Sequence, residues 1–192
     1  ATMVTDANVT ANFTRNQYTL TVLSGTGGDA NGSGTFTFES NATVSASPNP
    51  PAGYEFSHWS GDVSTMVNVN SSTTTLAIPA SDVTVTANFS ALPYLVRLSV
   101  DGDVNGTVGF EGDANGSLSV TATYYYDDNV SILGFPNGTD AGAPKRGYYL
   151  DQWSWVTNAG SGTTSENPYR FVLSGDLNAT ATFLPIPPDS FL

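Results

Sequence analysis

The stretch "DVTVTANFS", residues 82–90, occurs three times in this chain with small changes. Residues 6–14 read "DANVTANFT" and residues 176–184 read "DLNATATFL". In the 82–90 copy the apolar residues from Val83 to Phe89 alternate with polar ones. A period of two puts the apolar side chains on one face of an extended strand. Each copy is therefore predicted to be a β-strand with one face in a core.

Two repeated units extend outward from these copies. Trp59 precedes Phe89 by 30 residues, and Trp153 precedes Phe183 by the same 30, so these four are the predicted core anchors. Further matches pair "GYEFSHWSGDV" (53–63) with "GYYLDQWSWV" (147–156), "ATVSAS" (42–47) with "LSVTAT" (118–123), and "YTLTV" (18–22) with "VRLSV" (96–100). Self-similarity of this kind is the signature of a repeat protein.

The matches also predict the domain organisation. We expect a first module at 18–93 and a second at 94–192, the latter ending in a proline-rich tail. Residues 1–17 are expected to be the closing strand of a preceding or neighbouring unit. The second module is longer, mainly through an apparent insertion at 124–146. We expect this insertion to be an added surface hairpin with "NVSILGF" (129–135) as a strand.

The pattern predicts an all-β fold with little or no helix, built from tandem small antiparallel modules that are β-grasp-like or small sandwiches. Short alternating segments are separated by turn sequences such as "GGDANGSG" and "SPNPPAG". Phe56 and Trp59, like Leu150 and Trp153, are three residues apart. If both members of a pair face the core, a β-bulge must lie between them.

These residues resemble the divergent internalin-B-type B-repeat family, also called Listeria–Bacteroides repeats. The likeness rests on "GYEFSHWSGDV" followed by a threonine-rich strand and "DVTVTANF". It covers the first unit nearly end to end, whereas the second departs at the insertion and at "WSWV", where the Gly-Asp is lost. The resemblance implies a small β-rich module, in tandem on prokaryotic surface and secreted proteins, with a role in surface architecture and adhesion. It implies no catalytic residues.

Composition and charge exclude several classes of function. Only 11% of the 192 residues are charged, and the net charge is −12, with 17 acidic and five basic residues. Nucleic-acid binding needs a basic surface, and an anionic membrane would repel this chain. With no cysteine there are no disulfides and no cysteine-ligated zinc. No apolar run reaches the length of a membrane span.

Asn-X-Ser/Thr sequons are strongly over-represented. Eleven of the 16 asparagines lie in one, where composition alone predicts about four. A threonine-rich composition with Asn-Gly turns is one explanation. Selection for N-glycosylation is the other, and for a cysteine-free chain it favours an archaeal surface glycoprotein. The candidate sites are Asn8, Asn12, Asn31, Asn41, Asn70, Asn88, Asn105, Asn115, Asn129, Asn137 and Asn178.

Catalytic and metal-binding candidates are few, and we expect neither an enzyme nor a cofactor. His58 is the one histidine, and its counterpart in the second unit is Gln152. The "DGDVNG" turn offers Asp101, Asp103 and Asn105 as calcium ligands, but the twelfth position of such a loop would be a glycine instead of glutamate. A plain hairpin turn is the simpler interpretation.

The first copy of the recurring strand predicts self-association. Val9, Ala11 and Phe13 would form an apolar face, which is an aggregation hazard unless the strand pairs. Either the chain derives from a longer array, or the strand adds to the sheet of a neighbouring subunit. Lys145 and Arg146 are candidates for pairing with a neighbour's acids.

The expected function is therefore an extracellular structural glycoprotein that self-assembles into a surface layer, sheath or filament. Its expected partners are copies of itself, with other envelope proteins or surface glycans as further candidates. The alternatives are an adhesin or carbohydrate-binding module that uses 124–146, and a spacer within a large secreted enzyme.

Overall fold

The computed structural model describes residues 10–49, 53–102, 105–113, 116–136 and 147–187. In these ranges the chain forms fifteen strands and no helix, which confirms the all-β prediction. The chain divides into two compact units. The described residues up to 49 and from 55 to 90 form the first unit, and residues 53, 54 and those from 91 onward form the second.

Seven strands build the first unit as two sheets. A four-stranded sheet has the order β3-β1-β7-β5, and a three-stranded sheet has the order β2-β4-β6. The strands are β1 (Gln17–Ser24), β2 (Gly28–Asn31), β3 (Gly34–Thr37), β4 (Asn41–Pro48), β5 (Tyr54–Gly61), β6 (Thr73–Ala77) and β7 (Val83–Ala91).

The second unit repeats this arrangement and adds one strand. Its larger sheet has the order β10-β8-β15-β12-β13, and its smaller sheet has the order β14-β11-β9. The strands are β8 (Pro93–Val100), β9 (Gly106–Phe110), β10 (Ser119–Tyr125), β11 (Asn129–Pro136), β12 (Tyr148–Thr157), β13 (Gly160–Thr164), β14 (Tyr169–Val172) and β15 (Leu177–Pro185).

The recurring sequence forms the central strand of each large sheet. β7 lies parallel to β1, and β15 lies parallel to β8. The two large sheets are therefore mixed and the two small ones antiparallel, which corrects the expectation of antiparallel modules for the large sheets alone. Period-two alternation shows which residues face a core, but it carries no information on the direction of the neighbouring strand.

Each unit has its own apolar core. In the first, Trp59 packs with residues such as Leu20, Val44 and Val85, all essentially without solvent exposure. In the second, Trp153 is fully buried among Val96, Ile132 and their neighbours. The alternation of the recurring strand explains this burial, because Val83, Val85 and Ala87 are buried while Thr84 is exposed.

A β-bulge lies in the second unit at the predicted position. The register between β12 and β15 shifts between Leu150 and Gln152, which lets Leu150 and Trp153 both face the core. In the first unit, Phe56 and Trp59 contact each other with ring centroids 5.7 Å apart. The spacing of three residues therefore gives two core-facing side chains in both units.

The insertion predicted at 124–146 needs correction. Residues 129–136 do form a strand, β11, but β11 is the counterpart of β4 and the central strand of the small sheet. Val130 and Ile132 are buried in the core, as Ala42 and Val44 are in the first unit. The match of 42–47 with 118–123 was wrong, because "LSVTAT" forms the counterpart of β3. The remainder of that range, 137–146, lies outside the described residues.

Loss of the Gly-Asp pair explains the extra strand of the second unit. In the first unit Gly61 has a left-handed backbone, with φ of 94°, and Asp62 accepts a hydrogen bond from the Thr84 amide at 2.9 Å. That turn ends β5. The second unit has Trp155 and Val156 at these positions, so β12 continues to Thr157 and forms a hairpin with β13.

Candidate functional site

An aspartate at the start of the recurring segment has the same role in both units. Asp82 accepts a hydrogen bond from the Thr19 amide at 2.7 Å, and Asp176 accepts one from the Leu95 amide at 2.8 Å. Each bond ties the start of the central strand to the strand parallel to it. The sequence shows that this aspartate recurs, but its acceptor role required the structure.

In both units a glycine lies directly against the ring of the phenylalanine in the recurring strand, a contact that was not predicted from the sequence. A side chain at Gly28 would lie 2.2 Å from the Phe89 ring, and one at Gly106 would lie 2.5 Å from the Phe183 ring. Gly28 and Gly106 begin β2 and β9, the equivalent strands of the small sheets. In both units, therefore, the lack of a side chain on this glycine leaves the space that the phenylalanine ring occupies.

The predicted anchors differ in one polar detail. Trp59 is 2% exposed and its Nε1 donates to the Ser71 carbonyl at 2.9 Å. Trp153 is fully buried, and its Nε1 has no hydrogen-bond partner among the described residues. Phe183 is buried and Phe89 is half-buried.

His58, Asp101 and Asn105 are the catalytic and metal-binding candidates that the structure describes. The described residues contain no cluster of three or more His, Asp or Glu side chains suited to a metal ion. His58 is exposed, and its Nδ1 lies 3.0 Å from the hydroxyl of the adjacent Ser57. Asp101 is exposed and Asn105 half-buried, while Asp103 lies outside the described residues.

The described sequons differ in accessibility. Asn12, Asn31, Asn41, Asn70, Asn129 and Asn178 are exposed. Asn88 is half-buried, and its Nδ2 donates to Ser60 Oγ at 2.8 Å and to the carbonyls of His58 and Thr86. The predicted sites Asn8, Asn115 and Asn137 lie outside the described residues.

The candidate assembly residues are only partly described. Residues 10–16 form no strand, and Phe13 is 93% exposed beside an exposed Ala11. Val9, Lys145 and Arg146 lie outside the described residues, so their expected roles stay predictions.

Among the described residues, β10 is an edge strand that is paired on one side only. β10 pairs with β8 and, within the described ranges, with no other strand of the sheet. Its seven residues, "SVTATYY", contain no charge and no proline. Val120, Ala122 and Tyr124 pack against the core, and the alternate residues are exposed. Burial raises the pKa of the Tyr124 phenol, and the carboxylates of Asp113 and Asp128 raise it further.

Other sheet edges are shorter or partly covered. β3 has four residues, and the amide of Trp59 on β5 donates to the Val69 carbonyl of the following loop at 2.8 Å. β13 is five residues long and contains two glycines. Natural proteins protect edge strands with charges, prolines or covering loops, and β10 has none of these within its span.

Comparison with known proteins identifies the family. The model of the divergent InlB B-repeat domain matches residues 18–93 and again residues 106–187. The chain belongs to the divergent InlB B-repeat family. The first B-repeat match spans β1 to β7, whereas the second begins at β9, and the structure supplies β8 as the counterpart of β1.

Membership makes this B-repeat chain a surface-repeat protein that is located outside the cell or on its surface. The family is not known for enzymatic activity. No curated protein matches the chain. The described part of the chain contains no helix that could cross a membrane.

Proposed function

We propose that this chain is a structural module of a surface assembly, in which copies associate by adding a strand to an exposed sheet edge. The observation that carries the proposal is the open edge of β10, which is seven residues long and uncharged. An unpaired edge offers a row of backbone donors and acceptors to another strand. Contacts of this kind between identical copies can build a layer, a sheath or a filament.

The segment that fits this edge is the first copy of the recurring sequence. Residues 10–14 have the same alternation of apolar and polar residues as β7 and β15. Phe13 nevertheless is 93% exposed, whereas its counterparts Phe89 and Phe183 are half-buried and buried. Each unit already holds its own copy as a central strand, so a further copy has to pair at an edge. Beside β10, its apolar face would extend the row formed by Val120, Ala122 and Tyr124.

A contact between residues 10–14 of one copy and the β10 edge of the next is heterologous. Such contacts build open polymers unless the rotation closes a ring. The absence of charge on β10 also matters, because acidic residues at the contact would add to the repulsion between copies of a chain of net charge −12. The proposed products are therefore fibres or sheets.

Sedimentation velocity and electron microscopy of the purified chain test this proposal. The wild-type chain is expected to form polymers, and deletion of residues 1–14 should leave folded monomers. T121K/T123K, which places two charges on the exposed face of the β10 edge, should have the same effect. The matched control is Thr84→Lys on the exposed face of the central strand β7, which should still polymerise. A monomeric wild-type chain, or polymers that survive both changes, would refute strand addition at β10.

Within the described residues, the alternative adhesin that uses 124–146 receives no support from the fold. Residues 124–136 include the core strand β11, so they do not form a separate contact loop.

A further inference from the structure

An aromatic cleft opens at one end of the second unit. It lies between the β12–β13 turn and the segment that joins β14 to β15, and its volume is about 260 Å³. Trp155, Tyr169 and Phe171 contribute the aromatic part of its lining, and the rings of Tyr169 and Phe171 are in contact, with centroids 5.3 Å apart. All three side chains are half-buried, so parts of them remain accessible.

The first unit has none of these aromatic residues at the equivalent positions. Gly61 corresponds to Trp155, since each lies two residues after the buried tryptophan. Thr74 and Leu76 correspond to Tyr169 and Phe171, by the pairing of β6 with β4 and of β14 with β11. The same scaffold therefore carries three aromatic side chains at this place in one unit only.

Two glycines account for the difference at Trp155. A side chain at Gly61 would lie 2.5 Å from the Thr84 carbonyl, so the first unit cannot hold a tryptophan there. In the second unit Trp155 pairs with Gly162, and a Cβ on Gly162 would lie 2.6 Å from the indole. Gly162 therefore makes the room that the indole occupies.

A polar cleft adjoins the aromatic one. It has a volume of about 160 Å³ and shares Thr157, Ala159 and Ser174 with its neighbour. Asn158 and Gly175 complete its lining. Together the two clefts offer aromatic rings at one end, with hydroxyl and amide groups at the other.

We propose that this paired cleft is a binding site for an uncharged oligosaccharide. A sugar ring has a face of weakly positive C–H groups, which complements the negative face of an aromatic ring. Its hydroxyl rim needs donors and acceptors, which the Ser174 hydroxyl and the Asn158 amide supply. The Thr157 hydroxyl is already used in the turn, where it donates to the Gly160 carbonyl and accepts from the Ala159 amide. Small-molecule sites combine apolar walls with a few polar groups in this way.

Charge selects against other ligands. None of the lining side chains carries a charge at neutral pH, and the net charge of −12 disfavours anionic ligands. No acidic group in the lining would hold a cation. An uncharged sugar oligomer fits both the mixed lining and the field of the whole chain.

Titration of the full chain with neutral hexaoses tests the site. Cellohexaose, maltohexaose, mannohexaose and chitohexaose are the probes, with intrinsic tryptophan fluorescence and calorimetry as readouts. Trp59 and Trp153 are at most 2% exposed, so a fluorescence change on binding reports Trp155. We expect saturable binding of at least one hexaose with a fluorescence change that is lost in Trp155→Phe.

Two variants and a control test whether the oligosaccharide binds in this cleft. Ser174→Arg fills the cleft from an exposed position outside the core and should weaken binding at least about tenfold. Tyr169→Thr restores the residue of the first unit and should weaken it similarly. The control is Tyr149→Ala, an exposed tyrosine on β12 that does not line either cleft, which should bind within about twofold of wild type. Circular dichroism on each variant establishes that it is folded.

Two results would contradict a sugar site. If no hexaose binds, or if binding persists unchanged in folded Ser174→Arg, the cleft is not a sugar site. If a synthetic peptide of residues 6–14 binds instead and Ser174→Arg abolishes that binding, the occupant is a strand of a second copy and the sugar proposal is wrong.

Discussion

Asp82 and Asp176 show at the residue scale how the recurring segment determines structure. Each carboxylate accepts a hydrogen bond from a backbone amide of the neighbouring parallel strand, that of Thr19 in the first unit and that of Leu95 in the second. Alternation alone would place β7 in a sheet without choosing its neighbour. The aspartate adds a hydrogen bond to one particular strand, and a charged acceptor makes such a bond stronger than a neutral one.

Replacement of this aspartate should destabilise its own unit. We expect Asp82→Ala or Asp176→Ala to lower the free energy of unfolding by about 1–2 kcal/mol, since each leaves a strand amide without its acceptor. Asp29→Ala, an exposed aspartate on β2, is the control and should change it by less than about 0.5 kcal/mol. Urea unfolding followed by circular dichroism measures the difference. Equal effects for Asp29 and Asp82 would mean that overall charge, not the strand contact, is responsible.

An exposed ion pair adds a dependence on pH. Arg170 Nη2 lies 3.0 Å from Glu111 Oε1, and this hydrogen bond, with the charge of Arg170, holds the pKa of the Glu111 carboxyl below its ordinary value. A carboxyl with a lowered folded-state pKa stabilises the fold above its unfolded-state pKa. The contribution is lost as the pH falls through the folded-state pKa.

Glu111→Gln should therefore matter at neutral pH and not in acid. We expect the variant to be slightly less stable than wild type at neutral pH, with a gap that closes as the pH falls through the folded-state pKa of the carboxyl. Urea unfolding at a series of pH values measures the gap. In a chain that already carries Arg170→Gln, the further change Glu111→Gln should no longer alter the stability. A stability difference that does not depend on pH would exclude the ion pair as its cause.

At the scale of elements, the sequence predicted where the strands lie better than which strand of one unit corresponds to which strand of the other. Alternation and turn residues located strands near 18–22, 42–47 and 83–89, and the three-residue spacing before each tryptophan predicted the bulge seen at Leu150. The repeat alignment failed between 118 and 136, since "LSVTAT" and "NVSILGF" are both strand-like. Only the pairing partners show that the second is the counterpart of β4.

The aromatic cleft shows a different limit of the sequence. The loss of Gly-Asp at "WSWV" was visible, but nothing in the sequence brings Trp155 close to Tyr169 and Phe171. Their proximity depends on the extension of β12 and on the position of β14 in the other sheet. Sequence distance cannot predict a contact between two sheets when the strand equivalences are wrong.

The reassignment of β11 gives a testable consequence. Ile132 is fully buried on β11, whereas the next residue, Leu133, is half-buried on the opposite face. Ile132→Ala should lower the free energy of unfolding by about 2–5 kcal/mol through lost burial and the cavity left behind. Leu133→Ala is the matched control and should have a clearly smaller effect. Similar small effects for both would place β11 outside the core, as an added hairpin would be.

At the scale of the whole molecule, exposure separates the predicted glycosylation sites. Asn178 is exposed on β15, whereas the two hydrogens of Asn88 Nδ2 are shared among three acceptors within 3.2 Å. A glycan would replace one hydrogen of that nitrogen and disturb these bonds. Both residues occupy the polar phase of their strands, so alternation alone could not distinguish them.

Glycopeptide mass spectrometry of the chain from its native host tests this difference. We expect a glycan on Asn178 and an unmodified Asn88, together with an intact mass above the 20.0 kDa of the polypeptide. Modification of Asn88 would show that its hydrogen bonds do not protect it. An intact mass equal to that of the polypeptide would remove glycosylation from the proposed function.

Assembly through the β10 edge is the central claim, and the lack of cysteine makes it directly measurable. The measurement is cross-linking with a short bis-maleimide in a mixture of two single-cysteine chains of different tag size. One chain carries Thr14→Cys in the proposed donor segment, and the other carries Thr121→Cys on β10. A mixture of Thr14→Cys with Thr84→Cys on the central strand β7 is the matched control. We expect a mixed cross-linked product with Thr121→Cys and little with Thr84→Cys. Equal yields for the two, or none for Thr121→Cys, would contradict assembly through the β10 edge.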